Sequence, residues 1–222
     1  MEAHAKLVVG YWDIRGLVQP IKYLLEYLQV EYEDKRYFYG EAPDFNRDSW
    51  FSVKQSLGFP LPNLPYMIDG DLKLTESHAI YRYLCGKYRP ELLGKTLEDR
   101  AHVDMVMSHA QDIRNASYNA CYETGDRAFV RAMALERFGP LARFLGDHKP
   151  FIVGEYVTYP DFFLYEQIEL FDFICENELV KKYPNLESYR QRVAALPNLK
   201  EYLASERCIK RPFNGKRAKI NN

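Results

Sequence analysis

The chain has 222 residues, of which 47% are hydrophobic and 15% aromatic, enough to bury the core of one large domain or two small ones, so intrinsic disorder is excluded. Its 30 basic residues nearly balance 31 acidic ones, and the net charge of -1 gives no overall electrostatic reason to bind nucleic acid or an anionic membrane. Any anion-binding site is therefore local.

The start of the chain and its cysteines indicate a cytoplasmic protein. The first apolar run breaks at Asp13 and Arg15, which is too short for a signal peptide or a membrane span. The cysteines are widely spaced and form no CxxC motif or Cys/His cluster, so buried, reduced thiols are expected and no metal site is predicted. They are Cys85, Cys121, Cys175 and Cys208.

The first 88 residues have the pattern of an α/β domain. Residues 6–12 form a short apolar run, and apolar residues recur at 17, 18, 21, 24, 25 and 28, which predicts a buried strand and then an amphipathic helix. Residues 32–38 predict a second strand, parallel to the first. Apolar runs around Asp69-Gly70-Asp71 predict a hairpin, and Ser77 is placed to cap a helix that runs to about Tyr88. The order βαβ-α-ββα is that of an N-terminal thioredoxin-like α/β domain over residues 1–88.

The remainder of the chain is predicted to be helical. Residues 89–96, with Pro90 and Gly94, are expected to link to an all-α C-terminal domain over residues 97–222. Positions 103, 106, 107, 110, 113, 117, 120 and 121 follow the 3-4 spacing of one helix face. Further helices are predicted at about 128–145, 161–175, 187–195 and 198–204, and Thr158 with Asp161 forms a carboxylate variant of the capping box.

The sequence lacks the motifs of several enzyme classes, and Tyr11 is the first candidate for a functional residue. The chain has no GxGxxG, Walker loop, HExxH or GxSxG, which excludes nucleotide hydrolases and zinc proteases. The CxxC position of a thioredoxin-like domain holds Tyr11-Trp12-Asp13-Ile14, so dithiol redox chemistry is disfavoured. Tyr11 ends a buried strand, at the side that faces ligands in open α/β sheets. It is either a core tyrosine at a domain interface or a hydroxyl that donates one directed hydrogen bond to a ligand.

Three further groups of residues could contact a ligand, and each has a purely structural alternative. A proline that enters a strand, as in Leu64-Pro65, is a candidate for a cis bond that turns the backbone of Leu64 toward an added strand-like ligand. Ser77 at a helix start could bind a carboxylate and Glu76 an ammonium, or they are an ordinary cap and a solvated residue. The last group offers two cations and an indole donor to a second carboxylate, or is simply solvated. It consists of Arg47, Trp50 and Lys54.

These stretches together resemble a cytosolic glutathione transferase, closest to the mu class, nearly from end to end. The matching stretches are residues 10–17, 42–47 with Trp50, 62–70, 158–162 and 184–186. The resemblance implies detoxification by conjugation of reduced glutathione, a co-substrate with no prosthetic group beside it, to hydrophobic electrophiles. Tyr11 would be the catalytic residue, whose hydroxyl holds the glutathione sulfur and lowers the thiol pKa, because the thiolate is the nucleophile.

The resemblance also implies two sets of binding residues. Those for glutathione are Trp12, Arg47, Trp50 and Lys54 at the glycine end, Asn63 and Leu64 at the cysteinyl middle, Glu76 and Ser77 at the γ-glutamyl end, and Leu17. Asp112 would reach the γ-glutamyl amine in the other subunit, which requires a homodimer. The electrophile pocket would consist of Ile14, Leu17, Tyr39, Arg114, Tyr118 and Tyr122. Tyr122 matches a mu-class tyrosine whose hydroxyl assists addition to some electrophiles.

The chain departs from the mu-class pattern at several positions. Glu76 stands where the class usually has Gln, and Leu61 replaces the aromatic residue that inserts into the partner subunit. Asn214 and Gly215 stand where the class often places an aromatic and a hydroxyl residue over the pocket. Substrate preference therefore does not carry over with the resemblance.

Other functions stay open beside conjugation. The same fold could serve a non-catalytic carrier of hydrophobic anions or a structural protein, or a glutathione-dependent isomerase. Tyr11 and the polar groups near it favour the enzyme, because a pure carrier has no need to hold a thiolate. Residues 207–219 contain six basic and no acidic residues, for which a solvated terminus is favoured over a nucleic-acid role. Neither nucleic acid nor membrane is an expected partner.

Overall fold

The fold is described from a computed structural model that covers residues 6–221. In chain order its elements are β1 (Leu7–Trp12), α1 (Gln19–Tyr27), β2 (Tyr32–Tyr37), α2 (Asp48–Phe51), β3 (Tyr66–Asp69), β4 (Leu72–Thr75), α3 (Ser77–Tyr88), α4 (Leu97–Asn119), α5 (Arg127–Leu145), α6 (Tyr159–Ile174), α7 (Glu178–Lys182), α8 (Pro184–Ala194) and α9 (Leu199–Ala204). A 3₁₀ turn (Pro90–Leu93) precedes α4, and a wide π-helical turn (Ala120–Thr124) follows it. The order confirms the predicted βαβ-α-ββα unit followed by an all-helical part.

Within residues 6–221, four strands form one mixed sheet in the order β2-β1-β3-β4. β1 is an inner strand, because it pairs parallel with β2 and antiparallel with β3. Gly10 lies opposite Tyr66 in the β1–β3 register, and a β-carbon at Gly10 would fall 2.1 Å from the Tyr66 ring. Glycine is therefore required just before Tyr11, where the Tyr66 ring covers the strand.

Helix α6 lies at the centre of the core. Fourteen of its 16 residues are buried, and it packs against α1, α4, α5 and α8. The carboxylate of Asp161 accepts hydrogen bonds from the backbone amide and the hydroxyl of Thr158, at 2.7 and 3.0 Å, which confirms the predicted capping pair. The Asp161 side chain thereby supplies an acceptor for the Thr158 amide, at a helix start that is buried away from water.

The structure differs from the predicted elements in three places. Ser77 is the first residue of α3 and not its cap. Glu76 occupies the cap position, with a φ of 68°, and its side chain makes no capping hydrogen bond. Helix α7 is absent from the predicted elements, since it has only five residues. The predicted linker 89–96 contains a 3₁₀ turn, in which Leu92 is buried.

The C-terminal tail, residues 207–221, packs against the rest of the protein through its apolar residues, while its six basic residues are all exposed, as expected of a solvated basic stretch. Phe213, Asn214 and Ile220 are buried. The amide of Lys219 donates to the carbonyl of Cys121 at 2.7 Å, which joins the tail to the turn after α4. The tail is therefore part of the folded structure.

The four cysteines, all within the described range, are buried and unbridged, which confirms the expected reduced thiols. Burial raises the pKa of the Cys85 thiol to about 12, so this thiol is not reactive at neutral pH. No helix in the described part of the chain is long and apolar enough to cross a membrane. Among the same residues, His, Cys, Asp and Glu side chains form no group of three that could hold a metal ion.

Candidate active site

Tyr11 lies near the end of β1, and the turn after the strand packs against its ring. Gly16 in this turn has a φ of 48°, a region that favours glycine, and a β-carbon there would lie 2.4 Å from Cε1 of Tyr11. The amides of Arg15 and Gly16 donate to the carbonyls of Pro212 and Phe213, each at 2.9 Å. The C-terminal tail therefore holds the turn that contacts Tyr11.

The same turn is held from the other side by a buried ion pair. Nη2 of Arg15 lies 2.6 Å from Oε2 of Glu166 in α6 and donates to the Tyr23 hydroxyl at 3.1 Å. Arg15 and Glu166 are 6% and 1% exposed. Burial alone would lower the pKa of Arg15, but the charge and hydrogen bond of Glu166, together with Tyr23 and Glu169, outweigh it and the pKa is raised. The charge is retained because its partner is buried with it.

The electrostatic surroundings keep Tyr11 as a hydrogen-bond donor. Burial raises the pKa of its hydroxyl above 10.0, while the nearby Arg114 guanidinium and the backbone at Leu17 partly oppose that rise. At neutral pH the side chain is therefore protonated. A protonated phenol can donate one hydrogen bond to an anion such as a thiolate.

Two small cavities meet at Tyr11 and share Tyr118 and Tyr122 as walls. The first has a volume of about 130 Å³ and the second of about 220 Å³. Predicted residues that line the first are Leu17 and Arg114, and those that line the second are Trp12, Ile14, Tyr39 and Arg47. The structure thus brings all six predicted electrophile-pocket residues together around Tyr11.

The walls of the larger cavity are aromatic. Trp12 and Tyr39 are stacked with ring centroids 4.4 Å apart, and Tyr118 and Tyr122 are stacked at 4.7 Å. The Tyr122 hydroxyl accepts a hydrogen bond from the amide of Gly215 at 2.8 Å, which leaves its own proton free to donate. Burial raises the pKa of Tyr122 to about 12, so that proton is present at neutral pH.

The remaining predicted glutathione-binding residues lie outside the two cavities, in two places, with Asp112 apart from both. Trp50 is buried and its ring lies 5.1 Å from that of Tyr37. Nζ of Lys54 lies 5.6 Å from the centroid of the Phe51 ring, and the Arg47 guanidinium lies over the same ring at 4.9 Å. These two cations are therefore grouped at α2, a short helix in the stretch predicted either to be solvated or to contact a ligand.

The second place is the end of β4 and the start of α3. The bond between Leu64 and Pro65 is cis, and Leu64 is buried. The Asn63 amide donates to the Glu76 carboxylate at 3.3 Å, and Ser77 is buried at the first turn of α3. Asp112 lies apart, exposed on α4, where its side chain makes no hydrogen bond or ion pair with any residue from 6 to 221.

Several lining residues are absent from the predicted site. Those of the smaller cavity are Gln111, Asn115, Ser117, Cys121 and Leu170, and those of the larger are Glu123 and Arg217; Asn214, at a position expected over the pocket, also lines the smaller cavity. Gln111 and Asn115 share a helix face with Arg114, Tyr118 and Tyr122, so helical spacing could have found them. Arg217 has no such signal, because only the path of the tail brings it to the cavity.

Comparisons with known proteins match the chain over its whole length. Sequence models of the glutathione S-transferase N-terminal and C-terminal domains match residues 7–85 and 111–206. Glutathione S-transferase Mu 3 of Homo sapiens is 38% identical over 229 residues, covering 100% of this chain and 98% of the relative. Glutathione S-transferase Mu 1 of Rattus norvegicus is 37% identical over 220 residues, covering 97% and 99%.

Solved structures agree with the sequence relatives. The glutathione S-transferase Blo t 8 superimposes with a TM-score of 0.87 and 32% identity, covering 97% of this chain and 100% of that one. A pi-class glutathione S-transferase of Onchocerca volvulus has a TM-score of 0.83 at 24% identity, covering 96% and 100%, and so supports the fold alone. These similarities confirm the resemblance on which the predicted site is based, and the chain belongs to the glutathione S-transferase family, with mu-class members among its relatives.

Proposed function

We propose that this glutathione S-transferase joins the thiolate of reduced glutathione to hydrophobic electrophiles, with the Tyr11 hydroxyl as the hydrogen-bond donor to the sulfur. The observation that carries the proposal is the position of Tyr11, a protonated phenol at the junction of two small cavities. Glutathione is a co-substrate here, and no prosthetic group takes part.

A hydrogen bond to the sulfur is sufficient to change its ionisation. A thiol with a pKa near 8.5 is only a few per cent thiolate at pH 7, on reference values. A hydrogen bond to a charged group contributes about 1.5 to 3 kcal/mol, which is roughly one to two pKa units. The bound thiol would then be about a quarter to three quarters thiolate at pH 7. The cavity adds proximity, because it places the electrophile against the sulfur.

We assign the rest of glutathione to the two groups of residues beside the cavities. Arg47, Trp50 and Lys54 at α2 would take the glycine carboxylate, with Trp12 and Leu17 against the tripeptide. The backbone of Leu64 and the Asn63 side chain would hold the cysteinyl part. The γ-glutamyl end would lie at Glu76 and Ser77, where the first turn of α3 offers free amides to a carboxylate.

In this proposal residues 1–88 form the domain that binds glutathione, and residues 89–96 link it to the second domain. Residues 97–222 form that second domain, which contributes the hydrophobic pocket for the electrophile. The cavities support it, since Tyr11 and Tyr39 face Arg114, Tyr118 and Tyr122 across them.

We further propose a homodimer in the cytoplasm. Leu61 and Met105 are apolar side chains that are 71% and 50% exposed and so are available to a partner surface. In the dimer, Asp112 would reach the γ-glutamyl amine bound to the other subunit. A hydrodynamic mass of one chain at micromolar concentration would contradict both assignments. The buried, unbridged cysteines support a reducing compartment.

The test of the central proposal is an ultraviolet difference titration of glutathione bound to the wild type and to Tyr11→Phe. We expect the wild type to lower the thiol pKa by one unit or more, and the variant to lose most of that shift. Tyr88→Phe, at an exposed position on α3, is the matched control and should keep the shift. Glutathione that binds to the wild type with an unshifted thiol pKa would refute thiolate activation and favour a carrier.

A further inference from the structure

The C-terminal tail, residues 207–221, carries six basic residues and no acidic one, and the structure gives five of the six a partner. The five contacts are those of Arg207 with Glu26, Lys210 with the Leu203 carbonyl, Arg211 with the Phe173 and Phe213 rings, Lys216 with Glu41, and Lys219 with the Glu123 carbonyl. These five cations serve to attach the tail to the protein.

Arg217 is the sixth, and its place is different. Its side chain lines the larger cavity, together with Tyr11, Trp12 and Tyr122. Across residues 6–221 its guanidinium makes no hydrogen bond, ion pair or ring contact. An arginine presents five donors in a planar fork that matches a carboxylate, and here the fork has no protein partner.

The charges around the cavity favour an anionic ligand. Two guanidinium groups, those of Arg47 and Arg217, line it with one carboxylate, that of Glu123. Stacked aromatic rings form walls of low dielectric, which strengthens the field of the cations inside. The proposed function already uses Arg47 for the glycine carboxylate of glutathione. Of the two cations that line the larger cavity, Arg217 is therefore the one that remains for the second substrate.

We propose that Arg217 forms an anion subsite that selects aromatic electrophiles carrying a carboxylate. This inference rests on the proposed function, because the electrophile must react with a sulfur held at Tyr11. A cavity of about 220 Å³ has room for roughly seven water molecules, or for one substituted aromatic ring in their place. The ring would lie against the aromatic walls, and its carboxylate would face the Arg217 fork.

The test compares two electrophiles that differ only in charge, 4-chloro-3-nitrobenzoate and 4-chloro-3-nitrobenzamide. In both, the glutathione sulfur forms a bond to the ring carbon, the carbon–chlorine bond breaks, chloride leaves with the electron pair, and the thiol proton passes to solvent. The quantity measured is the ratio of kcat/KM for the benzoate to that for the benzamide. Because variants are compared with the wild type, the intrinsic reactivity of the two compounds cancels.

We expect Arg217→Gln to lower this ratio about 3- to 10-fold, the range between an exposed ion pair and a charged hydrogen bond. Arg217→Lys should keep most of the ratio, since it keeps the charge. Lys216→Gln is the matched control: it removes one charge from the adjacent residue, whose side chain contacts Glu41 and does not line the cavity. An unchanged ratio in Arg217→Gln, or an equal fall in Lys216→Gln, would overturn the subsite.

A binding measurement keeps the inference separate from the conjugation reaction. The dissociation constants of S-(4-carboxybenzyl)glutathione and S-(4-carbamoylbenzyl)glutathione are measured by calorimetry for the same variants. We expect Arg217→Gln to weaken the carboxylate ligand about 3- to 10-fold relative to the amide. If the wild type conjugates neither electrophile, the proposed conjugating function fails. The ratio of the two dissociation constants still tests the subsite in that case. Equal weakening of both ligands would overturn it.

Discussion

Replacement of Gly16 by alanine tests whether the turn after β1 places the Tyr11 hydroxyl. A β-carbon at Gly16 would lie 2.4 Å from Cε1, 2.9 Å from Oη and 3.0 Å from Cζ of Tyr11. An ordinary contact begins at 3.4 Å, so the ring or the turn must move by about 1 Å. Such a displacement carries the hydroxyl out of hydrogen-bond range of a sulfur placed for the wild type.

The magnitude follows from the lost hydrogen bond. A bond to a charged group contributes about 1.5 to 3 kcal/mol, so the thiol pKa of bound glutathione should rise by roughly one to two units in Gly16→Ala. The substitution also costs about 1 kcal/mol of stability, because Gly16 has a φ of 48°. That backbone cost has to be separated from the effect on Tyr11.

Gly70→Ala provides the separation. Gly70 has a φ of 59°, and a β-carbon there would meet nothing within 4 Å, so it carries the backbone cost without the contact. Both variants are titrated with glutathione by ultraviolet difference spectroscopy and unfolded in urea. We expect similar losses of stability from the backbone and a raised thiol pKa in Gly16→Ala only. If the thiol pKa of glutathione bound to Gly16→Ala lies within about 0.3 unit of the wild-type value, a difference on the order of experimental error, this account of Tyr11 is refuted.

Three further predictions concern other parts of the structure. Tyr122→Phe should slow addition to an enone at least about 10-fold more than aromatic substitution, measured as kcat/KM, because it removes a proton donor; equal losses would contradict this role. Asp161→Asn should lower the free energy of unfolding in urea by about 2 to 5 kcal/mol, since the buried carboxylate accepts four hydrogen bonds, while exposed Asp147→Asn should change it little. Burial raises the pKa of Tyr23 and Tyr81 well above 10.0, so the unfolded chain loses these protons first as pH rises. The free energy of unfolding should therefore fall above pH 10 by about 1.4 kcal/mol per pH unit for each; constant stability from pH 9.5 to 11 would argue against it.

The order of elements could be predicted because each has a local signal. Residues 6–12 and the hairpin at Gly70 show strand and turn chemistry, and α6 shows its start at Thr158 and Asp161 although it is buried on nearly all sides. The cap of α3 could not be predicted, because the positive φ of Glu76 arises from the path of the chain and not from its residue type. Short α7 has too few residues to display a period.

The residues of the site likewise divide into those that the sequence marks and those that only the folded chain brings together. Tyr11 is marked by its place at a strand end, and Arg114, Tyr118 and Tyr122 by one helix face. Their functional roles came from the family resemblance and remain proposals. Arg217 could not be predicted, because it reaches the cavity only through a tail that folds back onto the turn at Cys121, far away in the sequence.

Those tail contacts make the position of Tyr11 a property of the whole chain. Arg15 is bound to Glu166 in α6, and breaking such a buried pair costs about 3 to 5 kcal/mol, so the turn after β1 cannot easily leave α6. Its amides are bound to the tail at Pro212 and Phe213. Glu166 lines neither cavity, yet its loss would release the turn that packs on Tyr11. A fragment of residues 1–88 would contain the proposed catalytic hydroxyl and lack the contacts that hold it in place.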